Sequence, residues 1–143
     1  PVGHVRRVVC AAPEYLKLSE RLEEPHDLLR HTIISATPVS PAAEWRFGAG
    51  KNAVSVKVLP RLAVTNNDGA IQAALQGFGV TRLMSYQISG QLAAGRLKRV
   101  LTEYEPPPLP IHVLHREGRQ ASAKVRRFVD FLVERLRADT ALI

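Results

Sequence analysis

The chain has 143 residues, 45% of them apolar and 23% charged, which fits one globular domain or two small lobes and excludes a disordered segment. Its formal charge of +7 and its pI near 10 raise nucleic acid as a partner, but Arg6, Arg7, Arg96 to Arg99 and Lys124 to Arg137 are dispersed among acids and form no tract. No apolar run approaches the ~20 residues of a transmembrane helix, and the opening PVGHVRRVVC has no secretory pattern.

Val5–Cys10 alternates around β-branched residues and reads as a strand. Cys10 is the one cysteine, so no internal disulfide is available, and a reducing compartment, the cytoplasm, fits. Its neighbours Val8, Val9 and Ala11 favour a buried thiol over a nucleophile. Pro13 suits a first helical position, which predicts a short helix over Pro13–Glu20, with another helical turn at Pro25–Leu29. His31–Ser35 is a second strand, Thr37 to Ala43 a loop, and Glu44–Phe47 a short strand. Gly48 to Asn52 reads as a turn.

Val54, Val56 and Val58 alternate with Ser55 and Lys57, and Pro60 interrupts before Leu62–Val64 resumes, as in an edge or bent strand. Ala70, Ile71, Ala74 and Leu75 then share one face of a helix. Gly77 ends it, and Val80–Met84 is a compact strand, buried if central. Tyr86–Ala94 is a helix closed by Gly95. Leu97–Leu101 is a strand, Glu105 to Pro110 a stiff connector, and Ile111–His115 a strand. Ser122–Arg137 is a helix with Val125, Phe128, Val129, Leu132, Val133 and Leu136 along one stripe. The alternation of strands and helices predicts an α/β sheet, mostly parallel.

No catalytic constellation emerges. His4, His26, His31, His112 and His115 give no ligand set, since His112 and His115, three apart in a strand, point to opposite faces. No G-x-S-x-G elbow surrounds a serine. Gly77-Phe78-Gly79 follows a helix and precedes a strand, the reverse of the phosphate-binding order. Glu23, Glu24, Glu103 and Glu105 read as solvated acids. The chain is therefore taken as non-enzymatic, with no metal and no cofactor.

What remains is Thr65, Asn66, Asn67 and Asp68, a polar cluster at the carboxyl end of a strand and the start of a helix. Asn66 or Asn67 can cap that helix, with Asp68 favouring its dipole. The same position is where open α/β sheets hold ligands and where unpaired N–H groups meet anions. The residues alone leave both readings open.

Four blocks carry a resemblance that bears on this choice. Arg6 to Leu16 resembles the first crossover of the effector-binding domain in LysR-type transcriptional regulators. Glu44-Trp45-Arg46-Phe47 resembles the W-R-F block of one branch of that family. Asn67, Ala70, Ala73-Ala74, Gly77 to Val80 and Leu83 resemble its helix–strand unit. Pro106 to Ile111, then Ser122 to Arg126 and Phe128 to Leu132, resemble its return strand and closing helix. The match runs from about Val5 to Leu136, and Leu83-Met84 departs from it where relatives place a proline.

The resemblance implies a periplasmic-binding-protein-like fold of type 2, with a mostly parallel mixed sheet flanked by helices. Residues 1–11 would be a crossover strand from a truncated first lobe, 12–109 the second lobe, and 110–143 a return strand and C-terminal helix of the first lobe. Val5–Cys10 and Ile111–His115 would cross between lobes. A small, anionic effector would sit in the inter-lobe cleft with Thr65, Asn66, Asn67 and Asp68 on one wall. The intact bacterial protein would pair as a homodimer or tetramer, would bind DNA only through an N-terminal winged helix-turn-helix outside this chain, and would not touch a membrane. With Pro1 first and Met84 the only methionine, the chain reads as an excised piece. A solute-binding protein of the same fold is the alternative, and direct nucleic-acid contact through Lys124, Arg126, Arg127, Arg135 and Arg137 a third.

Overall fold

The computed structural model describes residues 1–37 and 43–142. The chain divides into two compact units, one made of Pro1–Val5 with Pro108–Ile143, the other of Arg6–Pro107.

The larger unit is built on a five-stranded sheet. Its strands are β2 (Arg7–Ala11), β3 (Ile33–Ala36), β6 (Pro60–Val64), β7 (Val80–Met84) and β8 (Lys98–Val100), in the order β6-β3-β7-β2-β8. β3 pairs in parallel with both β6 and β7, and β2 runs antiparallel to both β7 and β8. Four strands therefore share one direction and β2 alone opposes them. The reason is connectivity: α2 (Asn67–Leu75) carries β6 to β7, and α3 (Ser89–Ala93) carries β7 to β8. Such crossovers join parallel strands, whereas β2 is not joined to its neighbours by any.

The sheet is covered on both faces, so its central strands β3 and β7 are buried almost throughout, Ser35, Thr81 and Arg82 included. Val8, Cys10, Ile34 and Leu83 face one cluster, closed by Ala70, Ile71 and Ala74 of α2 and by Ile88. Val9, Ala11, Ile33 and Val80 face the other, closed by Leu28, Trp45, Phe47 and Leu101. Each such large side chain, taken out of water, contributes about 2 kcal/mol. Trp45 and Phe47 come from β4 (Glu44–Phe47), which forms an antiparallel ribbon with β5 (Val54–Lys57). α1 (Pro13–Leu18) starts on its proline, as expected.

Several expected elements are shorter or divided. The span Val5–Cys10 breaks at Arg6, whose N–H donates to Ser85 Oγ at 3.0 Å instead of entering a ladder. Val54–Val64 is two strands in two sheets, with Pro60 opening β6 at the sheet's edge, where a missing N–H costs least. The Tyr86–Ala94 helix is a 3-10 turn, Ser85–Gln87, followed by α3. Of the loop from Thr37 to Ala43, residues 38–42 lie outside the described residues.

In the smaller unit, β1 (Gly3–Val5) pairs antiparallel with β9 (Leu109–Ile111), and α4 spans Ala123–Ala138. The expected strand Ile111–His115 does not form. Pairing ends at Ile111, and residues 112–115 are irregular, with Leu114 89% exposed. Prolines around Leu109 preset an extended backbone, and β1 offers three residues to pair with it. α4 starts on Ser122, whose side chain accepts from Val125 N at 3.3 Å, and none of its residues is buried.

Candidate functional site

The candidate site forms where two parallel strands end side by side. β6 ends at Val64 and β3 at Ala36, which are register partners. Thr37 then donates twice to the Val64 carbonyl, from its N–H at 3.0 Å and from its hydroxyl at 3.1 Å. This fixes where Thr65 leaves the sheet. Sequence reasoning missed Thr37; the rule that ligands meet the carboxyl ends of parallel strands would have pointed to it once β3 and β6 were paired.

The chain then enters α2. Asn66 is the cap: its extended backbone lies outside the helix and its Oδ1 accepts from Gly69 N at 2.6 Å. Gly69 allows so close an approach, because a Cβ there would stand 3.1 Å from that same oxygen. The other first-turn N–H groups have no carbonyl of an earlier turn to bond. Ala70, Ile71 and Ala74 bury one face of the helix, so the sheet holds its N-terminus in place.

The four expected residues stand together but in different settings. Thr65, Asn66 and Asp68 are exposed, while Asn67 is half-buried. The side-chain oxygen of Asn67 is buried without a hydrogen-bond partner among the described residues. Three other buried atoms share that condition, Trp45 Nε1, Arg82 Nε and Gln91 Oε1, but only Asn67 lies at the strand ends. An unbonded buried amide oxygen is costly. Asp68, in the first turn, places a carboxylate beside the positive end of the helix dipole.

Three concavities of the larger unit, all among the described residues, lie elsewhere. One of about 460 Å³ is lined by Arg21, Leu22, Glu23, Glu24, Leu101 and Glu103 among others, one of about 540 Å³ by α1 and the end of α2, and one of about 350 Å³ by Tyr15, Leu18 and Gln76. None of these three includes Thr65 to Asp68. Glu23 and Glu24 are exposed as expected, but the Glu105 side chain is only 5% exposed and accepts from Arg99 at 2.5 and 2.6 Å, which corrects its reading as a solvated acid.

Three titrating groups are shifted by the fold. Burial pushes the Cys10 thiol up to about 12. The backbone N–H groups of Glu23 and Glu24 hold the Asp27 carboxyl below its usual value, with Arg21 and Arg30 adding to the effect against desolvation. Arg82, buried in β7 with its guanidinium over the Phe47 ring and an Nη2 bond to Arg46 O at 2.6 Å, is lowered to about 10, chiefly by desolvation. Among the described residues no group of three or more His, Cys, Asp or Glu side chains could hold a metal ion, and no helix is long and apolar enough to cross a membrane.

Met84, the departure from the family pattern, has a role. Its N–H donates to Gln87 Oε1 at 2.9 Å, a bond that a proline could not make.

Comparison with known proteins adds the family context. The profile described as "LysR substrate binding domain" matches residues 1–137. The chain is 31% identical over 131 residues to the HTH-type transcriptional regulator PtxR of Pseudomonas aeruginosa, covering 92% of this chain and 42% of that protein. It is 31% identical over 128 residues to the HTH-type transcriptional activator TtdR of Escherichia coli K12, covering 89% and 41%. The chain thus spans about two fifths of the length of these curated relatives. In fold it is similar to full-length AphB of Vibrio cholerae, with a TM-score of 0.81 at 22% identity over 94% of this chain and 46% of that one. It is likewise similar to the CrgA regulatory domain of Neisseria meningitidis, with a TM-score of 0.76 at 22% identity over 94% and 66%. The first is a full-length LysR-type regulator and the second a regulatory domain, and the regulatory domains of that family have the periplasmic-binding-protein-like type 2 fold.

Proposed function

The chain belongs to the LysR substrate-binding domain family, and from that premise we propose that it senses a small-molecule effector through Thr65, Asn66, Asn67 and Asp68. The observation that carries this reading is the Asn67 oxygen, buried without a partner among the described residues at the carboxyl ends of parallel strands. A helix that needed only a cap already has one in Asn66. Asn67 is therefore surplus to capping and is held in a position that costs free energy unless something donates to it.

In this reading the larger unit, residues 6–107, corresponds to the second lobe of the family, and the smaller unit to the part of the first lobe present here. The first-turn N–H groups of α2 take an anionic group of the effector. Effector binding biases the conformation and self-association of the whole regulator by its different affinity for two states. DNA contact belongs to a winged helix-turn-helix outside this chain, and the compartment is the cytoplasm. The relatives are transcriptional regulators by name, which favours this over a role in solute transport.

The test uses the full-length regulator and a reporter fused to its target promoter. Asn66→Ala, Asn67→Ala and Asp68→Ala are compared with the parent for effector response, with circular dichroism as a check on folding. Loss of response in the folded Asn67 and Asp68 variants is the expected result. Unchanged response in all three would reduce the cluster to a helix cap.

A further inference from the structure

Arg82 is a buried cation without a counter-charge among the described residues. It lies in the middle of β7 and is only 4% exposed, yet it makes no ion pair among those residues. Its Nη2 donates to Arg46 O and its guanidinium covers the Phe47 ring, while its Nε is buried with no acceptor among the described residues. Buried charges are ordinarily paired, because water no longer solvates them.

Arg7 deepens the imbalance. Val9 is the register partner of Arg82 and faces the same cluster as Phe47. Arg7, two residues before Val9, lies on that same face, so the two arginines are diagonal neighbours. Burial first, and then the Arg7 charge, pull Arg82 below the usual arginine value, and Glu105 opposes them. Glu105 is already committed, however, since both its oxygens accept from Arg99. Residues 38–42 contain no acid to add. A water would give Arg82 Nε an acceptor but leave both charges in place. An oxyanion supplies the acceptor and the charge together.

We infer that a small oxyanion, of the carboxylate, phosphate or sulfate class, binds between Arg7 and Arg82 on the β4 side of the sheet. This place is separate from Thr65 to Asp68. The helix those residues open, α2, packs on the opposite face with Val8, Cys10 and Leu83. The inference therefore stands or falls apart from the effector reading.

Isothermal titration of the full-length regulator with acetate, phosphate and sulfate, all at one ionic strength, tests this. At least one of them binds the parent, and Arg82→Met and Arg7→Met each weaken it about tenfold or more, the effect of losing one charge-assisted hydrogen bond. The tightest probe names the class, a planar carboxylate for acetate and a tetrahedral anion for the other two. Arg61→Met removes an exposed arginine of β6 and leaves the affinity as it is, which separates a built site from general attraction to a basic surface. Asn67→Ala leaves it as it is too, which separates this site from the start of α2. Arg7→Met, at a half-buried position, decides the matter if Arg82→Met does not fold. No binding of any probe to the parent overturns the inference. So does an affinity unchanged by Arg7→Met, or one that Arg61→Met or Asn67→Ala reduces as much as Arg7→Met does.

Discussion

Gly79 lies directly against Thr32. A Cβ at position 79 would overlap the Thr32 carbonyl oxygen and stand 3.1 Å from Thr32 Cβ, because Val80 N–H donates to that same carbonyl at 2.8 Å. The turn from α2 into β7 is thus cut to the size of a hydrogen atom. Gly79→Ala is expected to cost roughly 3 kcal/mol, as overpacking against backbone does, read as a lower midpoint in urea unfolding. Gly90→Ala is the control. It lies inside α3 with nothing within 4 Å of a built Cβ, so it should gain about 0.5 kcal/mol. Equal effects of the two would contradict the contact.

Asp27 makes stability depend on acid. Its buried carboxylate accepts from Glu23 N at 2.9 Å and Glu24 N at 3.0 Å and pairs with Arg30 and Arg21. Its folded pKa lies below the unfolded one. The stabilisation is therefore fully present above the unfolded value of about 3.9 and is lost as pH falls through the folded value. Asp27→Asn should be less stable than the parent at neutral pH by a constant margin, and that margin should shrink only in strong acid. Urea titrations between pH 2 and pH 7 (roughly the span that brackets an ordinary carboxylate) check this. A margin that closes near neutrality would contradict it.

Cys10 should be silent to thiol chemistry in the folded protein. It is fully buried in β2, and its thiol sits near 12, so the reactive thiolate is scarce. Ellman's reagent is expected to label it only as fast as the protein unfolds, with the rate rising steeply in denaturant. Prompt labelling in buffer would mean that β2 opens locally.

Met84 can be replaced by proline at low cost. Its φ of −78° and ψ of 142° suit that residue, and the loss is the single bond to Gln87 Oε1. Met84→Pro should destabilise by about 1 kcal/mol, and Gln87→Ala should cost the Met84→Pro variant nothing further. A double-mutant cycle read by thermal unfolding decides this.

Much of the fold was legible because its signals are local. Pro13 at the head of α1, the alternation in Glu44–Phe47 and the glycine-marked start of β7 each reflect a short-range cause. So did the cap: Asn66 and Asp68 sit where helix chemistry puts them. What could not be read depended on partners far away in sequence. Arg6 looks like a strand residue until Ser85 takes its N–H, and Glu105 looks solvated until Arg99 folds over it. Ile111–His115 had the composition of a strand, but the ladder with β1 ends at the Gly3–Ile111 pair. At the candidate site, the buried state of the Asn67 oxygen and the two bonds from Thr37 exist only once β3 lies beside β6.

The smaller unit is assembled from two segments, with Gly3 beside Ile111 and all of residues 6–107 lying between them in sequence. Closing so long a loop is entropically slow until the intervening chain has condensed. During synthesis β1 emerges before residues 6–107 and cannot form its ladder with β9 until they have followed. The larger unit, contiguous in sequence, has no such delay, so the connectivity favours one order: residues 6–107 first, the β1–β9 ladder after them.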